Sequence, residues 1–141
     1  ENLFLGAEPR TWLVLVDSRR MNRDAGELLA SLGFTGIDPA AVVRDLPLAD
    51  RQLVEIAKAL GRKPRVLILD EATSALNRRQ VQQVFSVVRR LRDEGVAVVF
   101  ISHRMDEVRA LCDRATIFRD GVNVGTVDVA KARDDEIVRE V

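Results

Sequence analysis

The chain has one cysteine, one histidine, one tryptophan and no tyrosine among 141 residues, and no excess of either charge, since 22 Lys and Arg balance 22 Asp and Glu. Lone Cys112 cannot close an internal disulfide. Its place on an apolar helix face reads as a buried structural thiol of a reducing compartment. A neutral balance argues against nucleic acid as the main partner, because neutralising phosphates calls for a basic surplus. The Arg pairs at 19–20, 78–79 and 89–90 read instead as solvated helix faces. No uninterrupted apolar run exceeds six residues, far short of the ~20 that a membrane helix needs. Any membrane link therefore goes through a partner subunit. Nowhere does Gly-x-x-x-x-Gly-Lys-Ser/Thr occur, so these residues contain no phosphate-cradling loop of that kind. Internal repeats and low-complexity tracts are absent too.

What is present fits an α/β domain. With 47% hydrophobic residues the chain can bury one core. The most informative segment is Val66-Leu67-Ile68-Leu69-Asp70-Glu71. Four apolar residues read as a strand buried on both faces, and two acids follow it at once. Ligands of α/β sheets bind at the carboxyl ends of strands. A carboxylate pair there can hold a hydrated metal with one member and orient a water with the other.

Helices and strands alternate around it. Met21, Ala25, Leu28, Leu29 and Leu32 mark a helix face stopped by Gly33. Thr35 to Pro39 is a loop. Leu53, Ile56, Ala57 and Leu60 form a second helix face, with Asp50 near its start and Gly61 after it. Asn77 caps a helix with the apolar face Val81, Val84, Phe85, Val88 and Leu91, and Gln80 three residues on suits a capping box. Gly95 ends it. Val96 to Ile101 is a second fully apolar strand, ending at Ser102 and His103. Met105, Val108, Leu111 and Cys112 give a short helix. Ala115 to Phe118 leads to Asp120-Gly121, a hairpin signal. Asp134 to Val141 reads as a terminal helix, whereas the pattern leaves the state of Trp12 to Val16 open. Such alternation implies a largely parallel sheet.

Four segments in order carry a family resemblance: Leu46-Pro47-Leu48-Ala49-Asp50-Arg51-Gln52, the strand ending in Asp70-Glu71, Ala72-Thr73-Ser74-Ala75-Leu76-Asn77, and Ile101-Ser102-His103-Arg104-Met105-Asp106-Glu107-Val108. Together they resemble the signature loop, Walker B, D-loop and switch histidine of ABC transporter ATP-binding subunits. Glu1 to Gly6 and Gln52 to Leu60 resemble the first nucleotide-binding domain of fused sugar (ribose/galactose-type) importers. The resemblance implies a partial P-loop NTPase fold. Residues 1–45 would belong to the helical subdomain, and 46–141 to the C-terminal part of the ATPase core. In the family the Walker A strand and glutamine loop precede the equivalent of Glu1. The reading is therefore a piece of a longer polypeptide, with natural loss of the phosphate loop as the alternative.

By that resemblance Asp70 holds Mg²⁺ through water and Glu71 is the general base that orients the attacking water. His103 follows the second apolar strand as Glu71 follows the first, and neighbouring parallel strands would bring the two ends together. There its ring could donate to a γ-phosphate; the plain alternative is a surface histidine. Ser74, Ala75, Leu76 and Asn77 would contact a second nucleotide-binding domain, with Asn77 where the family usually has Asp. Leu46, Pro47, Leu48, Ala49 and Asp50 stand for Leu-Ser-x-Gly-Gln, which meets the ATP of the opposite domain. Pro47 brings neither hydroxyl nor N–H, and Asp50 sets negative charge near a phosphate, so this half-site reads as weakened. Ala72 stands where Pro is common.

Two functions follow from the resemblance. One is an ATP- and Mg²⁺-using subunit that powers import of a solute, by expectation a sugar. It would sit on the cytoplasmic face of the membrane through a permease, and serve a solute-binding protein indirectly. The other is a non-catalytic ABC-like regulatory or docking module. The isolated chain, lacking Walker A, is expected to be inactive. It is also expected to self-associate as a dimer, through the bare edge of Val96 to Ile101 or the adjoining bare face of the sheet.

Overall fold

The computed structural model of the chain describes residues 2–4 and 17–132. The apolar run at 12–16 and the expected helix at 134–141 lie outside those residues. Two compact units divide the chain, Glu1–Val99 and Phe100–Val141.

The first unit begins with a short turn, Asn2–Phe4, that lies against helix α2 (Leu48–Gly61). Helix α1 spans Ser18–Ser31, with Asp17 as its cap accepting from the Arg20 amide at 3.0 Å. Its end is built by Gly33 at φ 75°. There the Gly33 amide donates to Ala30 and the Phe34 amide to Leu29, both at 2.9 Å, a Schellman closure. The closure turns Phe34 into the core, where it is buried, as are Met21, Ala25 and Leu29 of α1.

Helix α3 (Arg78–Asp93) starts at the expected capping box, with Asn77 Oδ1 accepting from the Gln80 amide and Gln80 Oε1 accepting from the Asn77 amide. It buries Val81, Val84, Phe85, Val87 and Val88. Its far end repeats the device seen in α1, with Gly95 at φ 87° and the Val96 amide returning to Leu91. Two side chains bind α3 to the end of α1: Gln83 Nε2 donates to the Gly33 carbonyl at 2.8 Å, and Arg90 to the Ser31 carbonyl at 3.2 Å.

Strands β1 (Val66–Asp70) and β2 (Ala97–Ile101) pair in a two-stranded sheet. The Ala97 amide donates to Arg65 at 3.0 Å, so both strands start at the same end and run parallel, with α3 as the crossover. The division between the units falls inside β2, after Val99.

β1 is not buried on both faces as its four apolar residues led one to expect. Leu67 and Leu69 are buried, but Val66 is 56% and Ile68 64% exposed, and Val99 and Ile101 are exposed on β2. Along β1 burial alternates, so one face of the strand is covered and the other stays largely open among the described residues. Near-continuous apolar strands arise where both faces are covered, so the sequence carries an apolar face that the described residues leave open.

The second unit holds helix α4 (Met105–Leu111) and an antiparallel hairpin of β3 (Arg114–Arg119) and β4 (Val122–Asp128). Asp120 at φ 50° and Gly121 at φ 77° form the expected tight turn, both central residues being left-handed. Opposite the step from Ile117 to Phe118, β4 carries one extra residue, Val124, a bulge. The expected parallel arrangement thus accounts for one strand pair, and this hairpin for the other.

Cys112 lies one residue past the expected face. It caps the C-terminus of α4, its amide donating to Val108 at 2.9 Å, and it is half-buried rather than buried. Burial first and the Asp113 carboxylate second raise its pKa, both disfavouring the thiolate. Because the thiolate is the nucleophile, alkylation by iodoacetamide at pH 7.5 is expected to be slower than for a free cysteine. The rate should still be climbing above pH ~8.5, where a free thiol has reached its midpoint. Asp113→Asn is expected to speed it. A rate equal to that of free cysteine across the pH series would refute the expectation.

Candidate functional site

The two acids stand where β1 ends. Asp70 is its last residue and is exposed; Glu71 is half-buried. Glu71 takes φ 48°, a left-handed conformation rare for a residue with a Cβ. Such strain persists only where the surroundings over-determine it. The surroundings here are a tight turn: the Ser74 amide donates back to Glu71 at 3.1 Å and the Leu76 amide to Thr73 at 3.0 Å. Ala72, Thr73 and Leu76 are buried and anchor that turn, whereas Ser74 and Asn77 are exposed and Ala75 is half-buried. Of residues 74–77, Leu76 therefore serves as a core anchor and its neighbours carry the accessible surface.

Among the described residues no three His, Cys, Asp or Glu gather into a cage for a metal ion. Mg²⁺ requires none, since it keeps several waters and takes one or two carboxylates with substrate phosphates. An exposed Asp70 at a strand end fits that mode of binding.

Residues 46–50 lead into α2 and form its first turn. Pro47 is the cap residue, with φ −53° and ψ 151°, and makes no side-chain capping bond. The fixed ring suits the extended entry to a helix but leaves the first amides without a side-chain acceptor there. Leu48 is exposed; Leu46, Ala49 and Asp50 are half-buried. Arg51 reaches back, its Nε donating to the Leu46 carbonyl at 2.8 Å, and so braces the segment in front of the helix.

One connection had no local signal in the sequence. Gln80 Nε2 donates to Asp50 Oδ1 at 3.4 Å, while the same side chain accepts from the Asn77 amide. Asp50 and Asn77 are thereby joined through one side-chain amide. The bond is long and individually weak. Thirty residues separate its partners, so only tertiary packing could reveal it.

His103 lies in the bend between β2 and α4, in the second unit, and is exposed. Its neighbours are tied down. Ser102 Oγ accepts from the Arg104 amide at 3.0 Å and donates to Glu107 Oε2 at 3.3 Å. The Arg104 guanidinium stands 2.7 Å from Glu107 Oε1, a charge contact rather than an aligned hydrogen bond. Glu107 itself is 2% exposed. Nothing in its residue type or position alone marks it as buried. The available signal was the helical spacing from Arg104, three residues earlier, which suits an ion pair.

The family model described as "ABC transporter" matches residues 2–74. Over 139 residues the chain is 55% identical to "Ribose import ATP-binding protein RbsA 1" of Rubrobacter xylanophilus, covering 99% of the chain and 27% of that protein. It is 48% identical over 138 residues to the protein of the same name from Mesorhizobium japonicum, covering 98% of the chain and 27% of that protein. The chain thus spans about a quarter of the length of these curated relatives. Among solved structures it resembles the dimeric post-hydrolysis state of the ATP-binding cassette MJ0796 bound to ADP and Pi. That match has a TM-score of 0.73 at 19% identity and covers 89% of this chain and 53% of that one. The ATP-binding cassette MJ1267 matches with a TM-score of 0.71 at 20% identity, covering 99% of this chain and 60% of that one. At such identities the structural likeness speaks for the fold alone.

Proposed function

The chain belongs to the ABC transporter family, and we propose that it is the signature-to-switch portion of an ATP-hydrolysing subunit that drives import of a sugar of the ribose class through a membrane permease. Residues 1–45 are assigned to the helical subdomain and 46–141 to the ATPase core. The Asp70–Glu71 pair at the end of β1 carries this reading, in a chain so close to ribose import ATP-binding proteins.

Bound ATP and Mg²⁺ would supply the scissile phosphate and the charge that neutralises it. Asp70 would hold the metal through water. Glu71, fixed by its left-handed backbone, would orient the attacking water and take its proton. His103 would donate to the terminal phosphate. Leu46, Pro47, Leu48, Ala49 and Asp50 would face the nucleotide of a second nucleotide-binding domain, met also by the exposed Ser74 and Asn77. No helix among the described residues is long and apolar enough to cross a membrane, so attachment to the inner face would run through the permease. A solute-binding protein would act on the same permease from the other side.

Pro47 and Asp50 favour a second reading, a nucleotide-binding or docking module without turnover. Pro47 brings no donor to a phosphate, and Asp50 is engaged with Gln80.

The two readings part in one experiment. Cells lacking the gene are expected to lose energy-dependent uptake of labelled ribose, and regain it with the intact gene. In parallel, the 141 residues alone, which hold no phosphate loop, are expected to show no micromolar, Mg²⁺-dependent ATP binding by calorimetry. Uptake of ribose and other sugars that is unaffected by the deletion would favour the module. Tight ATP binding by the isolated chain would overturn the assignment of its missing affinity to that loop.

A further inference from the structure

We propose that Glu107 is a positioning residue that holds the His103 bend in shape, a proposal resting on the reading of His103 as the group that meets a phosphate. A buried carboxylate is costly unless it is paired and hydrogen-bonded. Glu107 is nonetheless 2% exposed. An acid in the first turn of α4 suits the helix dipole, but Asp106, exposed in that same turn, already offers that benefit without desolvation. Burial of Glu107 therefore serves something else.

Its partners indicate what. Both residues flanking His103 end on this one carboxylate. Ser102 donates to Oε2 at 3.3 Å, and the Arg104 guanidinium stands 2.7 Å from Oε1. Ser102 Oγ also accepts the Arg104 amide at 3.0 Å, closing a ring of contacts around residue 103. The Glu107 amide donates to the Arg104 carbonyl at 3.0 Å, which sets the ring on the first turn of α4. With residues 102 and 104 held, few backbone torsions of His103 stay free. An exposed imidazole on a fixed backbone reaches a phosphate without first paying to order the bend.

The test separates positioning from mere support of the fold. In the 141-residue chain, without nucleotide, Glu107→Gln keeps the side-chain shape but drops the charge that draws Arg104 in. The amides of His103 and Arg104 are expected to exchange with solvent at least about tenfold faster, because the opening of the bend becomes cheaper. The amides of β3 and β4 should keep their protection. If exchange in β3 and β4 quickens too, Ser102→Ala replaces the variant with the same expectation. In a protein of the relatives' full length that carries this chain, Glu107→Gln should lower kcat about tenfold with KM for ATP changed less than about twofold. It should cost nothing further when His103→Ala is already present, because the two act as one unit. Unchanged exchange at both amides overturns the proposal, and so does a kcat loss that multiplies with that of His103→Ala. If His103→Ala leaves kcat at the wild-type value, the reading of His103 falls, and the exchange data alone judge whether Glu107 holds the bend.

Discussion

Glu71→Gln, made in a protein of the relatives' full length that carries this chain, is expected to lower ATP turnover by about 10²–10⁴-fold, the range for loss of a positioned general base. The amide keeps the shape of the carboxylate and can still orient a water, but it cannot take the proton. The left-handed backbone at Glu71 costs Gln no more than Glu, so the turn into Ala72 and Thr73 should survive. ATP binding is therefore expected to stay within about twofold, since the substitution removes an interaction made only in the transition state. Phosphate release under saturating ATP, measured beside nucleotide affinity, checks both halves. Hydrolysis at the wild-type rate would mean another group is the base. A matching loss of affinity would mean that Glu71 shapes the nucleotide site rather than the chemistry.

Phe85→Ala carries the largest expected effect on the fold itself. Phe85 is 1% exposed in the middle of α3, with the Arg89 guanidinium 5.9 Å above its ring. Its helix face also holds Val81, Val84 and Val88, all buried. Truncation removes the ring and leaves a cavity that its rigid neighbours fill only in part, a change that costs about 3–5 kcal/mol. The cation–π contact adds less than about 1 kcal/mol, because Arg89 is only half-buried. Against a whole stability of about 5–15 kcal/mol, this is a large fraction. Urea unfolding of the 141-residue chain should show the midpoint falling with an unchanged slope. A loss below about 1 kcal/mol would show that the site collapses, and that α3 is held mainly by Gln83 and Arg90 at the end of α1.

Much of this molecule is local in origin, and the local part was legible. Helix stops at Gly33 and Gly95 follow from the need for a left-handed residue past a helix end, and both glycines take that conformation. The Asn77–Gln80 box and the Asp120–Gly121 turn are likewise properties of a few adjacent residues. The same holds for the placement of Asp70 and Glu71 at a strand end, because four apolar residues followed by two acids admit little else. Covering is not local. Periodicity marks Val66 and Ile68 as apolar, but whether something lies over them depends on neighbours elsewhere in the chain, and both stay more than half exposed.

The sequence by itself determined the family, the order of elements, and the identity of the acids and the histidine that the proposed chemistry uses. Each is written in residue type and short spacing, which the backbone cannot alter. Only the tertiary structure decided which side of β1 is covered, that Leu76 is an anchor, that Gln80 joins Asp50 to Asn77, and that Glu107 is buried beneath the flanks of His103. These depend on side chains brought together from distant positions, or on the burial of one turn against the rest. A hydrogen bond across thirty residues leaves no periodic trace, and a buried acid three residues from an arginine reads the same as an exposed one until the chain is packed.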